Sequence, residues 1–191
     1  AFRSRMPYCQ HSMMAIYRIR TVRAGEWPKL REARLEALAD PVAPVAFLER
    51  NGDAFGYPDS TWQQRAAESE RQEDRVTFVG EAADGRWCGM LTVLTVLTVL
   101  TVLTEGDRAY LVGVYTQPEH RGTGLAVQLF EAAVEWSWAR PETRDIRLHV
   151  HRDNPRAAAF YRRQGFRVIA GPDPGKPDCP EYEMELARPP R

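Results

Sequence analysis

Two stretches of the chain place chemically useful residue types at telling spacing. The first is Val114-Tyr115-Thr116-Gln117-Pro118-Glu119-His120-Arg121-Gly122-Thr123-Gly124-Leu125-Ala126. An extended run ends, a glycine-containing turn follows, and an apolar-periodic helix begins. A helix start leaves backbone N–H groups unpaired and carries partial positive charge, which suits a phosphate or pyrophosphate. Gly122 and Gly124 remove side chains that would hold an anion away, and Arg121 adds a permanent cation. The same glycines equally serve a tight strand-to-helix connection with no ligand. The spacing is not that of a P-loop, because no Lys-Ser/Thr follows, and it lacks the third glycine of the dinucleotide pattern.

The second stretch runs from His149 to Phe166. His149 and His151 stand at i and i+2, on one face of a strand. Asn154 followed by Pro155 is a sound N-cap and first helical residue. Tyr161 lies seven residues after Asn154. Adjacent helical residues point about 100° apart, so Phe160 can face a core while Tyr161 faces a cleft. Core packing would also account for Tyr161 and for both histidines.

These residues need a scaffold, and the periodicity supplies one. Tyr17 to Val22 alternates as a half-buried strand, and Glu26 to Ala39 repeats at helical spacing until Asp40-Pro41 closes it. Pro41 to Ser60 reads as a loop with a short helical turn. Ser60 or Thr61 is expected to cap a charged helix running to about Glu73. Val76 to Ala82 and a strand from Arg86 flank an Ala83-Asp84-Gly85 turn. Asp107 to Thr116 and Ile146 to Val150 are strands. Gly122 to Arg140 is a helix with Leu125, Leu129, Ala132, Ala133 and Trp136 on one face. Pro155 to Gln164 is a helix with Gly165 just past its end, and strands at Phe166–Ala170 and Glu181–Leu186 close the chain. The fold class is α/β (α+β), a mixed sheet with helices on both faces.

One segment fits no standard period. From Leu91 to Thr104, Leu-Thr-Val repeats four times and a further Leu-Thr follows. A three-residue shift reproduces this sequence but flips the strand faces, so register is poorly specified. As a single strand it would span about 46 Å. An extended β-hairpin, as an elongated β-ribbon or a strand broken by a bulge, is expected.

The totals narrow the function. Lys+Arg and Asp+Glu both number 26 among 191 residues. That balance argues against a surface devoted to nucleic acid. Cys9, Cys88 and Cys179 make no disulfide framework, and neither CxxC nor HExxH is present, so no metal site is expected. A reducing cytoplasm fits this cysteine usage. No run reaches the length of a membrane span. Residues 1–15 read as a disordered extension, and 16–191 as a single domain.

Arg121-Gly122-Thr123-Gly124-Leu125-Ala126 resembles the Gln/Arg-x-x-Gly-x-Gly/Ala motif of the GNAT acetyltransferase superfamily. Asn154 through Phe166 resembles its second signature, Asn-x-x-Ala, then Tyr, then Gly-Phe. Order and separation match, and the likeness covers about 90% of the chain. The resemblance implies an acetyl-CoA-dependent N-acetyltransferase, with acetyl-CoA as cosubstrate and no metal. It implies that the strand ending at Val114, Tyr115 and Thr116 splays from its neighbour and pairs with pantetheine. Arg121, Gly122, Thr123, Gly124, Leu125 and Ala126 would take the pyrophosphate, and Asn154 the pantetheine or a water. Tyr161 would protonate the leaving thiolate. His149 stands where some relatives place a glutamate base, with Glu81, Glu105 and His151 as rivals. An amine of pKa ~10.4 is protonated at neutral pH, so some base is required.

The acceptor is expected to be a small-molecule amine. A protein amine and a non-catalytic acyl-CoA sensor are the other readings. Glu49, Asp53, Asp59, Asp173 and Asp178 are the loop carboxylates that would hold a cationic acceptor. Family habit implies a homodimer.

Overall fold

The computed structural model describes residues 17–46, 54–95, 98–99, 102–103, 107–172 and 180–190. The expected extension over residues 1–15 lies outside these. In chain order the elements are β1 (Arg18–Thr21), a 3-10 turn (Ala24–Glu26), α1 (Trp27–Ala39), α2 (Ala43–Ala46), α3 (Asp59–Arg71), β2 (Arg75–Glu81) and β3 (Trp87–Leu94). There follow β4 (Thr98–Val99), β5 (Val102–Leu103), β6 (Arg108–Thr116), a second 3-10 turn (Pro118–His120), α4 (Leu125–Trp138), β7 (Asp145–His151), α5 (Pro155–Arg163), β8 (Arg167–Ala170) and β9 (Glu181–Ala187).

Seven strands form one mixed sheet in the order β1-β2-β3-β6-β7-β9-β8. Only β6 and β7 run parallel; every other neighbouring pair is antiparallel. Two apolar layers cover it. On one face Val76, Phe78, Leu91, Ile146, Leu148 and Val150 pack against Leu125, Leu129 and Phe130 of α4 and Ala158 and Tyr161 of α5. On the other, Val22, Val79, Met90 and Tyr115 pack against Leu30 and Leu38 of α1 and Trp62 and Ala66 of α3. Helices therefore lie on both faces.

Three local expectations change. Helix α3 starts at Asp59, with Pro58 in the capping position, so neither Ser60 nor Thr61 caps it. Thr61 instead donates its backbone N–H to the Pro58 carbonyl, which draws Ser60 and Thr61 into the first turn. Helix α4 buries Phe130 and Ser137 alongside Leu125, Leu129 and Ala133, so its core stripe is turned from the expected one. Of the Leu-Thr-Val run, only Leu91 to Leu94 continues β3. Thr95 then donates its backbone N–H to the Asp74 carbonyl at 2.9 Å. Beyond it β4 and β5 pair only with each other, Thr98 with Leu103 and Val99 with Val102. The ribbon is thus broken into a separate short hairpin. None of the described helices is long and apolar enough to cross a membrane.

Candidate active site

The site starts from a defect in β6. Thr92 pairs with Val112, yet Met90 pairs with Tyr115, so β6 carries one residue more than β3 across this interval. Such a bulge bends its strand and raises the local twist. Gly113 sits in it at φ +62°, a conformation that costs other residues about 1–2 kcal/mol. Strand β7 pairs with β6 only at Arg108–Asp145, Ala109–Ile146 and Tyr110–Arg147. Beyond Tyr110 the two parallel strands separate, and the facing backbone groups of β6 have no ladder partner. A wedge-shaped gap opens in the middle of the sheet.

A cleft of about 490 Å³ fills that gap. One wall is Val114, Tyr115 and Thr116 from β6, continued by Arg121, Gly122, Gly124 and Ala126. The other is His149, Val150 and His151 from β7 with Asn154, Phe160 and Tyr161. Val42, Val45 and Ala46 cross between them.

The turn ahead of α4 behaves as an anion pole. Gly124 is the N-cap at φ +89° and supplies no side-chain cap. The first bond within the helix is Gln128 N–H to the Gly124 carbonyl. The N–H groups of Leu125, Ala126 and Val127 are therefore orphans, and Ala126 and Val127 face the cleft. The Leu125 side chain does not: it is fully buried and fixes the first turn in a notch over Gly80, where an added Cβ would lie 2.3 Å from its Cδ1. Thr123 also turns inward. Its hydroxyl donates to the His120 carbonyl at 2.7 Å and accepts from Tyr17 at 3.1 Å. Both residues position the pole rather than touch the cleft with their side chains.

Arg121 is placed differently from the sequence expectation. Its Nε donates to the Thr116 carbonyl at 3.0 Å, and Nη2 pairs with Asp40 Oδ2. Asp40 is the C-cap residue of α1, and its side chain, 3% exposed, accepts the Val42 N–H at 3.0 Å. The guanidinium lies at the cleft, but its charge is met by a buried carboxylate. Asn154 is similarly engaged. Its Oδ1 accepts from Ala157 N–H at 3.1 Å, and its Nδ2 donates to the Val45 carbonyl at 3.3 Å. Residues 40–46 are thus pinned to both walls.

Tyr161 and His149 reach the cleft from opposite faces of the sheet. Tyr161 belongs to the α4/α5 layer, with its ring 5.5 Å from Phe130 and 6.4 Å from Phe166. Desolvation alone pushes its pKa up to about 12, so at neutral pH it is a phenol able to donate a proton. Tyr115, also at the cleft, is pushed up to about 12 by burial and by Glu36 and Asp40. Leu148 and Val150 point into the α4/α5 layer, so the alternating His149 and His151 point to the other face.

The rival bases separate on hydrogen bonding. Glu81 is clamped by Arg20 at 2.8 and 2.9 Å in the β1–β2 layer, outside the cleft. Glu105 lies outside the described residues. His151 accepts the Asp153 N–H on Nδ1 at 3.1 Å, with the Asp153 carboxylate 3.7 Å from the same nitrogen, so that nitrogen is already engaged. The His149 ring is exposed in the cleft and hydrogen-bonds to none of the described residues. Of the loop carboxylates, Asp59 lies in a groove beside Trp27 and Phe55; Glu49, Asp53, Asp173 and Asp178 lie outside the described residues. Glu181, which no sequence motif marks, is the one acid among the described cleft-lining residues. Its signal was the alternation Glu181, Glu183, Glu185 beside the histidine strand.

Residues 20–166 match the model of the acetyltransferase (GNAT) family. The chain belongs to that family. It is an acetyl-CoA-dependent N-acetyltransferase. No curated protein sequence matches it. Solved structures with the same fold include the PaiA N-acetyltransferase of Thermoplasma acidophilum in complex with coenzyme A, at TM-score 0.69 and 19% identity over 91% of this chain and 99% of that one. Aminoglycoside acetyltransferase AAC(6')-Ib, also with coenzyme A, is similar at TM-score 0.65 and 19% identity, covering 91% and 95%. A chimera of the Vibrio cholerae spermidine N-acetyltransferase SpeG matches at TM-score 0.62 and 18% identity, covering 90% and 95%. At these identities the likeness is one of fold. The wedge between β6 and β7 and the uncapped start of α4 are features of this GNAT chain's own geometry.

Proposed function

We propose that the protein transfers the acetyl group of acetyl-CoA directly to the primary amine of a small molecule, in the cytoplasm, with His149 as base and Tyr161 as acid. The observation that carries this reading is their approach to one cleft from opposite faces of the sheet. Unpaired backbone groups of β6 between Val114 and Thr116 suit an extended amide-bearing arm, bound as an added strand. The orphan amides of α4 suit its pyrophosphate. His149 takes the ammonium proton, and the freed amine attacks the thioester carbonyl from the α1/α2 face. Backbone N–H groups of the bulged strand are the donors for the developing oxyanion. Tyr161 returns a proton to the departing thiolate from the α5 side. No acyl-enzyme forms, so Cys88, buried with its thiol pKa raised by desolvation, has no part in it.

Glu181 supports a cationic acceptor. Its strand pairing sets it opposite His151 on the histidine face of the sheet. A cleft of this size falls within the ~300–1,000 Å³ typical of small-ligand sites. The test is a thiol-release assay with acetyl-CoA against polyamines, aminoglycosides, free amino acids and peptides with a free N-terminus. Turnover of a small amine by a sequential mechanism is expected. Turnover of peptides alone would overturn the acceptor assignment.

A further inference from the structure

We propose that Arg156 and Arg163, both on α5, are the cations that hold the phosphates of the acyl donor, and that Arg121 is not. The inference rests on the reading of the cleft as an acetyl-CoA site. That donor brings a pyrophosphate and a phosphate monoester, the latter carrying about −1.5 to −2 charges at pH 7. The amides of α4 supply donors but no full charge. Among the described residues three arginines line the cleft: Arg121, Arg156 and Arg163. Arg121 is already committed to the Asp40 carboxylate and the Thr116 carbonyl.

The other two are uncommitted. Arg156 and Arg163 are exposed, and neither makes an ion pair or hydrogen bond with any described residue. They stand seven positions apart on one helix. Two helical turns return a side chain to within about 20° of its starting direction, about 10 Å further along the axis. Ala157, Phe160, Tyr161 and Gln164 share this cleft-facing side. Two flexible cations about 10 Å apart can address phosphate groups separated along one extended ligand. Neighbouring arginines are placed otherwise: Arg162 is outside the cleft lining, and Arg152 lies 3.8 Å from Asp153.

The experiment is calorimetric titration of acetyl-CoA, its 3′-dephospho analogue and S-acetylpantetheine, at low and high salt. The proteins are wild type, Arg156→Gln, Arg163→Gln, the double variant, and Arg162→Gln as control. The double variant is expected to bind acetyl-CoA about tenfold more weakly at low salt, with a shallower salt dependence. S-acetylpantetheine affinity is unchanged throughout, and Arg162→Gln binds as wild type does. Loss of the preference for acetyl-CoA over the 3′-dephospho analogue assigns the arginines to the monoester. Equal weakening of both assigns them to the pyrophosphate. Wild-type affinity and salt dependence in the double variant would overturn the proposal while leaving the cofactor reading intact. Failure of the folded wild type to bind acetyl-CoA would overturn that reading, and the proposal with it.

Discussion

Replacing Asp40 with alanine tests how the cofactor turn is held. The Asp40 side chain is 3% exposed and that of Arg121 23%. Removing one partner of a buried pair costs about 3–5 kcal/mol. Arg121 can partly rehydrate through its exposed fraction, which lowers that to about 2 kcal/mol. The Val42 N–H also loses its acceptor, for about 1 kcal/mol. Asp40→Ala is therefore expected to cost about 3 kcal/mol, or a fall in Tm of about 6–12 °C for a domain of this size. Asp40→Asn keeps an acceptor for Val42 and loses about half as much. Urea unfolding of wild type, Asp40→Ala, Arg121→Gln and the double variant closes a cycle with a coupling of about 1–2 kcal/mol. Losses that add within about 0.5 kcal/mol would show that the guanidinium does not depend on Asp40. The account of Arg121 as a pinned residue would then be wrong.

Other outcomes follow from the same geometry. His149→Gln is expected to lower kcat about 100-fold, with acetyl-CoA affinity retained in calorimetry. An unchanged kcat removes it as base. Tyr161→Phe is expected to lower kcat about 10- to 100-fold, read by thiol release. The raised Tyr161 pKa also has a stability consequence. Unfolded chains lose the phenolic proton near pH 10 and the folded one near 12, so about 3 kcal/mol of stability present below pH 10 disappears as pH rises to 12. Alkaline denaturant melts of wild type and Tyr161→Phe measure the difference. At the acid end, Arg20 holds both Glu26 and Glu81 below the ordinary carboxylate range, chiefly through side-chain hydrogen bonds. Their contribution is present above about pH 4.5 and fades as pH falls. Arg20→Gln flattens the acid limb of the stability curve.

Much of the fold was legible because its signals are local. The Asn154-Pro155 cap and the alternation in β7 depend on spacing over a few residues, and each maps to its element. So does the Gly122–Gly124 turn. What was not legible depends on partners far away in the chain. Arg121 finds Asp40 across 81 residues, and no periodicity reports such a pair. The β6 bulge exists only relative to the register of β3, so Gly113 reads in isolation as an ordinary strand glycine. The Leu-Thr-Val repeat states its own ambiguity, and the contact of Thr95 with Asp74 decides where β3 stops. Arg156 and Arg163 look like solvated helix charges until α5 is set against the wedge.

In the proposed reading, the uncapped start of α4 beside the β6–β7 wedge takes the donor's phosphates and pantetheine arm. Calorimetric titration of acetyl-CoA into wild type and Gly124→Glu tests it most directly. Gly124 holds a positive φ with open space beside it, so glutamate there both strains the turn and sets a negative charge at the anion pole. One-to-one binding by wild type and none by the folded variant is expected. Equal binding by the two proteins would contradict it.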